Sequence, residues 1–450
     1  MSALLAASAV ALSGAAAASF AGARGALRAA LALLFGLGIW SAAWAVSLFA
    51  FGADPRVRLA KDGLLAAAGL AALAFQRRRG SVDPEQQPPG TAVEAHRWLR
   101  AAALVAAALA TVFFLEHTLR YPDGGWDAWA IWNLRARFLA RAGNGFRAAF
   151  SPELLFWAHP DYPLLLPGIV AQEFLLAGRE PLWFPAATAF AFAALTVVLL
   201  GTVVRELRGP GWGALAALAL LSTPCFVGFA ANQQSDVPVG AFLLAACALS
   251  AVALETGRPR ALALAGAAAS LAAWTKNEGL VYLLALAVAL LAVRWAAFSD
   301  RLRGVIRFGL GALPVLALLA WFKLRVAHAN DLLSQPSLEP LLDARRWAEL
   351  FGALLRRVVF FQNWSLWLVA ELVVLIAVVP RLPSRASSRV LGLAVALALS
   401  ATAVVYVLQP HELTWFVRAS SDRVLVQLWP SIVLATVLSL AAPVATAGSR

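Results

Sequence analysis

The sequence is poor in residues that form disulfides and metal sites. Only two of its 450 residues are cysteines, Cys225 and Cys247, and both fall in apolar runs, where cysteine usually packs as a small hydrophobic side chain. It contains no His-x3-His or Cys-x2-Cys spacing, no glycine-rich phosphate loop and no Ser-His-Asp set that can be ordered along the chain. These absences argue against redox chemistry, a structural metal site and nucleotide-driven catalysis.

Charged residues are also scarce, and their scarcity indicates the class of protein. They make up 14% of the chain, whereas 61% of it is hydrophobic. Apolar runs of about 18 to 22 residues recur, which is the length that crosses the hydrocarbon core of a bilayer. A segment in lipid must satisfy its own backbone hydrogen bonds, so these runs should be helices. The sequence therefore predicts an all-α, polytopic transmembrane protein.

The apolar runs define about 13 candidate spans. They lie near residues 3–22, 29–52, 60–75, 99–118, 183–204, 212–230, 237–254, 260–275, 279–297, 305–326, 363–380, 389–408 and 425–446. The first run has no positively charged region before it, which favours a span over a cleaved signal peptide. The chain then divides into N-terminal accessory spans with a cytoplasmic linker (1–98), a core (99–326) that includes an extracytoplasmic loop (119–182), and a C-terminal part (327–450).

The distribution of arginines predicts which loops are cytoplasmic, because short arginine-rich loops are typical of that face. The assignment of loops to the two faces depends on whether the stretch 163–178 crosses the membrane. It is about 16 residues long and carries Gln172 and Glu173, so it is interpreted as a re-entrant or interface helix. The arginine clusters at 77–79, 205–208, 257–260, 300–307 and 381–389 then share one face. The polar motifs YPDGGWDAW, HPDYP, ANQQSDVP, WTKNEG and QPHELTWFVRASSDR share the opposite, extracytoplasmic face.

The net charge of +13 is spread over the loops, which favours contact with membrane lipids or an anionic substrate and disfavours nucleic acid as a partner. Nearly all basic residues are arginines, and the three lysines are Lys61, Lys276 and Lys323. This bias, together with abundant alanine, is typical of a GC-rich bacterial genome. We therefore expect a multi-pass protein of the bacterial inner membrane.

Asp127 is an isolated acid among tryptophans just beyond a span. An aromatic belt at the membrane interface would account for the tryptophans alone. The following residues recur at helical spacing up to Arg137, which predicts a helix lying along the membrane surface. Asp127 is therefore a candidate for a functional acid.

Two proline-rich motifs carry further titratable residues. In HPDYP, His159 and Asp161 are held between prolines that restrict the backbone. In SDVP, Asp236 lies two residues before Pro238 at the start of a span, where it would also serve as a helix N-cap. Both a capping role and a site role are open for Asp236.

Two motifs supply cations on the same face. WTKNEG places Lys276 and Glu278 at a tight break between two apolar runs, where a surface ion pair is the alternative interpretation. The segment before the last span supplies His411 and Arg423. Arg423 would either snorkel to the interface or bind a phosphate in bidentate fashion.

Taken in order, these motifs resemble the GT-C superfamily of polytopic glycosyltransferases. The matching elements are GWDAWAIWNLRARFLARAG, HPDYPLLLPGIVAQEFLLAGRE, SDVPVGAFLL and AAWTKNEGLVYLL, within roughly residues 99–300. The resemblance is to the branch that contains dolichyl-phosphate-mannose protein mannosyltransferases, the lipid A aminoarabinose transferase and the rhizobial lipopolysaccharide-core transferases. It implies a GT-C-like helical fold with surface helices in the first large loop, a polyprenyl-phosphate-linked sugar as donor, and a glycan, lipid or protein as acceptor.

The resemblance also implies roles for individual residues. The family carries an acid in its first extracytoplasmic loop, usually in an Asp-Glu pair, and Asp127 aligns with the first acid of that pair. Ala128 stands at the second position, a departure that puts in question a paired-acid mechanism or a divalent metal held by the pair. The residues themselves specify no cofactor, and a divalent metal stays open. His159 takes the place of the basic residue in the family's Lys-Pro-Pro-Leu-Tyr element.

The predicted site follows from both arguments. The catalytic residues are Asp127, Asp161 and Asp236. The residues for substrate and lipid-phosphate binding are His159, Lys276, Glu278, Arg137, His411 and Arg423, and no metal ligand is assigned. Asp127 would deprotonate the acceptor hydroxyl, with inversion at the sugar, while basic residues stabilise the departing lipid phosphate.

Two other functions are compatible with the sequence. A transporter or lipid-linked saccharide flippase would use Asp127, Asp236 and Glu278 in a proton or substrate path, although such proteins often show inverted repeats, and no repeat is evident here. A lipopolysaccharide ligase or polysaccharide polymerase would place a large loop late in the chain, as residues 327–362 with their arginines would allow.

Overall fold

The computed structural model describes residues 2–78, 97–327, 337–359, 385–409 and 412–440. Within these ranges the chain is helical and contains no β-strand, which confirms the predicted all-α fold. Four helices precede the first loop: α1 (Ser2–Phe20), α2 (Gly25–Phe51), α3 (Pro55–Arg78) and α4 (Arg97–Arg120). The loop carries a π-helical turn (Ala128–Trp132), α5 (Asn133–Arg141), 3-10 segments (Gly143–Phe150 and Pro152–Leu154), α6 (Leu155–Ala158) and α7 (Leu165–Ala177).

The remaining helices form the rest of the bundle. They are α8 (Trp183–Arg208), α9 (Pro210–Leu221), α10 (Pro224–Ala231), α11 (Asp236–Thr256), α12 (Arg260–Thr275), α13 (Glu278–Ala292), α14 (Phe298–Arg325), α15 (Ala344–Val359), α16 (Ala386–Leu408) and α17 (Leu413–Leu440). A 3-10 turn (Glu339–Leu342) precedes α15.

In the described ranges, eight helices are long and apolar enough to cross a membrane, or nine if α9 and α10 form one broken span. The chain is therefore a multi-pass membrane protein, but the predicted number of about 13 spans is not confirmed. The predicted span 212–230 is two helices bent by 64° at a break after Leu221. The predicted spans 260–275 and 279–297 become α12 and α13, which have only 16 and 15 residues. The predicted span 363–380 lies outside the described residues.

α11 lies at the centre of the bundle. Every residue from Asp236 to Ala253 is buried, and the helix packs against α8, α12 and α17. α12 in turn approaches α14 closely, because a Cβ atom added at Gly266 would lie 1.8 Å from the carbonyl oxygen of Phe308. Small residues allow helices in a membrane to pack at such short distances. The polar residues at the ends of α11 and α12 are thereby brought into the protein interior.

The N-terminal helices are joined to the first loop by buried polar contacts. α1, α2 and α3 pack on one another, and α2 also contacts α7 and α8. The ammonium of Lys61 in α3 donates to Gln172 in α7 at 2.6 Å and pairs with Asp62 at 2.7 Å. Trp40 in α2 donates to Asp62 at 2.8 Å. The division of the chain into three parts stays a prediction, but these contacts connect its first part to α7.

α7 begins and ends beside the same short helix, α5. Next to its N-terminus, the carbonyl of Tyr162 accepts a hydrogen bond from Arg135 at 2.9 Å. Beyond its C-terminus, both carboxylate oxygens of Glu180 accept hydrogen bonds from Arg141, each at 2.6 Å. α5 has nine residues and is only about 13 Å long. α7 therefore packs along α5, and its 13 residues are too few to span a membrane by length alone. Its interpretation as a re-entrant or interface helix stays a prediction.

The end of α8 is fixed by a buried ion pair. Arg208 donates to the two carboxylate oxygens of Glu255, at 2.6 and 2.7 Å, and to the carbonyl of Leu438 at 3.2 Å. Ser387 donates to the same carboxylate. The side chain of Arg208 is fully buried. The ends of α8, α11 and α17 and the start of α16 are thus held together.

Candidate active site

The guanidinium of Arg423 joins two of the predicted acids. In α17, its Nη2 lies 2.5 Å from Oδ2 of Asp127, and its Nε lies 3.3 Å from Oδ2 of Asp236. Asp127 stands immediately before the π-helical turn of the first loop, and Asp236 begins α11. These residues, distant in sequence, therefore form one cluster at one end of the bundle. We call Asp127, Asp236, Lys276, Glu278 and Arg423 the central cluster.

Asp236 is held by a cation and an amide instead of capping its helix. Its Oδ1 accepts hydrogen bonds from Lys276 at 3.0 Å and from Gln427 at 2.6 Å. The amide oxygen of Gln427 accepts a hydrogen bond from the Tyr282 hydroxyl at 2.8 Å, which fixes the orientation of the amide. At the N-cap position, Ser235 makes no capping hydrogen bond. The carboxylate of Asp236 thus serves the central cluster.

Lys276 lies at the break between α12 and α13. Its backbone is extended, and an added Cβ at Gly279 would lie 2.2 Å from backbone atoms of Ala272, so the chain turns tightly there. Lys276 is 2% exposed and also pairs with Glu278 at 2.8 Å. The sequence allowed a surface ion pair at this motif, but the ammonium is buried between two carboxylates. The Glu278 side chain is 30% exposed, so the central cluster is accessible from outside the protein at this side chain.

A second polar group adjoins the central cluster. The Asp161 carboxylate accepts hydrogen bonds from Asn277 at 2.7 Å and from Lys323 at 3.2 Å, and Lys323 also donates to the amide oxygen of Asn277 at 2.8 Å. Asp161 is 2% exposed. Sequence reasoning missed Asn277 and Lys323. The signal that could have indicated Lys323 is its rarity as one of three lysines in an arginine-rich chain.

The HPDYP motif packs against α5. His159 has a left-handed backbone with a φ of 42°, and its carbonyl accepts a hydrogen bond from Arg135 at 2.6 Å. Its ring stacks on Tyr162, which in turn stacks on Trp132 at an interplanar angle of 6°. The Tyr162 ring lies 6.0 Å from the Lys276 ammonium, so it forms one wall beside the central cluster.

Burial changes the titration of two of these groups. Desolvation lowers the pKa of Arg135 to about 10, with the nearby Asp161 acting in the opposite direction. Desolvation also raises the pKa of Tyr162 well above its usual value, and the neighbouring Glu278 adds to this increase. The Tyr162 hydroxyl is therefore neutral near neutral pH, and it is not an anion that competes with the acids of the cluster.

The other four predicted site residues are not members of the central cluster as described. Arg137 pairs with Asp123 at 2.8 Å and lies 3.9 Å from Glu180, so its guanidinium is engaged by acids of the first loop. His411 lies outside the described residues. Of the other predicted residues, His159 and Asp161 adjoin the cluster through Tyr162 and Asn277, respectively.

The central cluster does not fit a divalent metal site. No group of three His, Cys, Asp or Glu side chains suited to a metal occurs in the part of the chain that the structure describes. Arg423 lies between the carboxylates of Asp127 and Asp236, and Lys276 lies between those of Asp236 and Glu278. A cation already faces each carboxylate, and Ala128 provides no additional ligand. The arrangement instead combines carboxylates with cations that can bind an anionic group.

A comparison with protein families agrees with this chemistry. The family model for dolichyl-phosphate-mannose-protein mannosyltransferase matches residues 161–323. This range contains Asp161, Asp236 and Lys276, whereas Asp127 and Arg423 lie outside it. No curated protein and no solved structure matches the chain significantly. The match supports a membrane glycosyltransferase that uses a lipid-linked sugar donor.

Proposed function

We propose that the protein transfers a sugar from a polyprenyl-phosphate donor to an acceptor hydroxyl at the extracytoplasmic face of the membrane. The observation that carries this proposal is the contact of Asp127 with Arg423, because it places an acid of the first loop among the buried cations of the bundle. Asp127, Asp236 and Glu278, the acids that the transporter alternative would use, lie together at one end of the bundle. This distribution favours a transferase over the transporter alternative.

In the proposed reaction, the acceptor oxygen attacks the anomeric carbon with inversion, and the bond from that carbon to the phosphate oxygen breaks. Asp127 takes the proton of the acceptor hydroxyl. The polyprenyl phosphate leaves with the bonding electron pair and gains one negative charge, so no general acid is needed. Arg423 and Lys276 stabilise this added charge, because Lys276 is buried, the Arg423 side chain is only 19% exposed, and carboxylates already orient both cations.

Asp236 has a supporting role in this mechanism. Its carboxylate is fully buried and contacts both Lys276 and Arg423, which holds the two cations at the same place before a donor binds. Side chains fixed in this way do not need to reorganise during the reaction. Asp161 has a similar role: it accepts a hydrogen bond from Asn277 and thereby helps to hold the connection between α12 and α13 at residues 276–278 in place.

The test is sugar transfer in proteoliposomes, with polyprenyl-phosphate mannose as the probe donor and membrane lipids and glycans as acceptors. Loss of a general base typically lowers the rate by about 10²- to 10⁴-fold, and we expect this range for Asp127→Asn. The matched control is Asp123→Asn, which removes an acid four residues earlier that pairs with Arg137 and is 45% exposed. Equal transfer by Asp127→Asn and the wild type would exclude Asp127 as the base. Absence of transfer by the wild type from any polyprenyl-phosphate sugar would contradict the function itself.

A further inference from the structure

The loop between α10 and α11 holds the segment that carries Asp127. The backbone N–H of Gly125 donates to the carbonyl of Asn232 at 3.0 Å. The side chain of Asn232 is in turn hydrogen-bonded to the His117 ring, near the end of α4, at 2.9 Å. A Cβ atom added at Gly124 would lie 2.6 Å from the carbonyl oxygen of Asn232, so the two segments are in close backbone contact.

Gln233 contacts the chain on both sides of Asp127. Its amide nitrogen donates to the carbonyl of Pro122 at 3.0 Å, and its amide oxygen accepts a hydrogen bond from Asn133 at 3.0 Å. Gln233 is 1% exposed, so neither bond is in competition with bulk water. The residues before and after Asp127 are thus connected through one buried side chain.

The backbone of Gln233 is in an unfavourable conformation. Its φ of 57° is left-handed, which a glutamine rarely adopts and which persists only where the surrounding contacts require it. Asp236, the other acid that contacts Arg423, follows three residues later. The same short loop therefore sets the positions of both carboxylates relative to the guanidinium.

We propose that Gln233 is a positioning residue, whose side-chain amide holds Asp127 at Arg423 and thereby sets the rate of the transfer step. This inference rests on the proposed function, in which Asp127 is the base. The residue itself contacts neither Asp127 nor the donor-binding cations in the described contacts; it acts through Pro122 and Asn133. Its loss should lower kcat and leave the KM for the donor nearly unchanged, since Lys276 and Arg423 keep their positions through Asp236.

The decisive variant is Gln233→Gly. Glycine adopts a φ of 57° without strain, so this change relieves the backbone while removing both side-chain hydrogen bonds. We expect kcat for polyprenyl-phosphate mannose to fall at least tenfold, with KM within twofold of the wild type. Gln233→Glu puts a carboxylate oxygen beside the carbonyl of Pro122 at a buried position, so we expect kcat to fall at least as far as in Gln233→Gly. The control is Gln409→Leu, a change in the loop after α16, which should leave both constants unchanged.

Hydrogen–deuterium exchange of the full-length protein separates this inference from the proposed function. In Gln233→Gly, the backbone of residues 121–132 should exchange at least tenfold faster, while α11 keeps its protection. If exchange and kcat both equal the wild-type values, the positioning role is excluded. If the wild type transfers no sugar, the proposed function fails, and the exchange of residues 121–132 alone decides whether Gln233 holds this segment.

Discussion

The guanidinium of Arg423, in α17, lies 2.5 Å from the carboxylate of Asp127, in the first loop. Asp127 lies before the range matched by the mannosyltransferase family model, and Arg423 lies after it. The central cluster is therefore completed by two residues outside the matched range. Any account of the activity must include the first loop and the C-terminal helix together.

Substitutions of Arg423 should show whether sugar transfer depends on its positive charge alone or also on the planar shape of its guanidinium. Arg423→Lys keeps the positive charge but cannot contact Asp127 and Asp236 with separate nitrogens of a planar group. We expect transfer to fall by about tenfold in Arg423→Lys, the effect of losing about 1.4 kcal/mol from one interaction with a charged group. Transfer should fall to a much lower level in Arg423→Gln, which leaves Asp236 with one cation fewer. The measurement is kcat per folded protein, with folding checked by size-exclusion elution. Equal rates in Arg423→Lys and the wild type would show that the bridging geometry is unimportant.

Two of the three glycines with positive φ in the first loop, Gly124 and Gly143, should respond differently to alanine. Gly124 has a φ of 77° and no space for a side chain, whereas Gly143 has a φ of 50° and no atom within 4 Å of an added Cβ. Backbone strain at a left-handed residue costs about 1–2 kcal/mol in both variants. Only Gly124→Ala must also displace Asn232. We expect Gly124→Ala to lose folded protein or activity and Gly143→Ala to retain most of both, as measured by yield in detergent and by sugar transfer.

The buried and exposed arginine–glutamate pairs should differ in their contribution to stability. Arg208→Gln leaves Glu255 buried without its partner, and loss of one partner of a buried pair typically costs about 3–5 kcal/mol. Arg141→Gln removes an equally close pair with Glu180, but the Arg141 side chain is 69% exposed. Water screens such a pair. Thermal unfolding in detergent should therefore shift clearly to lower temperature for Arg208→Gln and stay unchanged for Arg141→Gln. A similar shift in both variants would contradict the role of burial.

Cysteine labelling tests the side on which the proposed site lies. Glu153 in the first loop and Arg303 near the start of α14 are both exposed, while Cys225 and Cys247 are buried and should give little background. We expect a membrane-impermeant maleimide to label Glu153→Cys in intact cells. Labelling of Arg303→Cys should require permeabilised cells. The reverse pattern, or labelling of both from outside, would contradict the proposed topology.

The sequence predicts long uninterrupted helices well and short interrupted ones poorly. The expected spans at 183–204 and 237–254 agree with α8 and α11 to within a few residues, because their apolar runs are continuous. The break between α9 and α10 was missed, since Ser222, Thr223 and Pro224 interrupt the apolar run 212–230 only briefly. Similarly, α12 and α13 are too short to span by length alone, although their composition is that of a span.

In the candidate site, individual residues could be recognised from the sequence, but their contacts with residues distant in sequence could not. Asp127, Asp236 and Lys276 were recognisable because each lies in a short polar motif next to an apolar run. The contacts of Asp127 and Asp236 with Arg423 could not be derived, because they depend on how the first loop and α11 lie against α17. Asn277 was missed as a neutral amide between two charged residues, and its importance arises only from its contacts with Asp161 and Lys323.

The buried pair of Arg208 and Glu255 has a consequence for how a long lipid reaches the central cluster. This pair holds together the C-terminal ends of α8, α11 and α17, which lie opposite Asp236 and Arg423. α11 and α17 are also joined at the opposite end, where Asp236 contacts Arg423 and Gln427, so both ends of this helix pair are held together. Under the proposed function, we therefore expect a polyprenyl chain to reach the central cluster from beside this helix pair and not by separating α11 from α17.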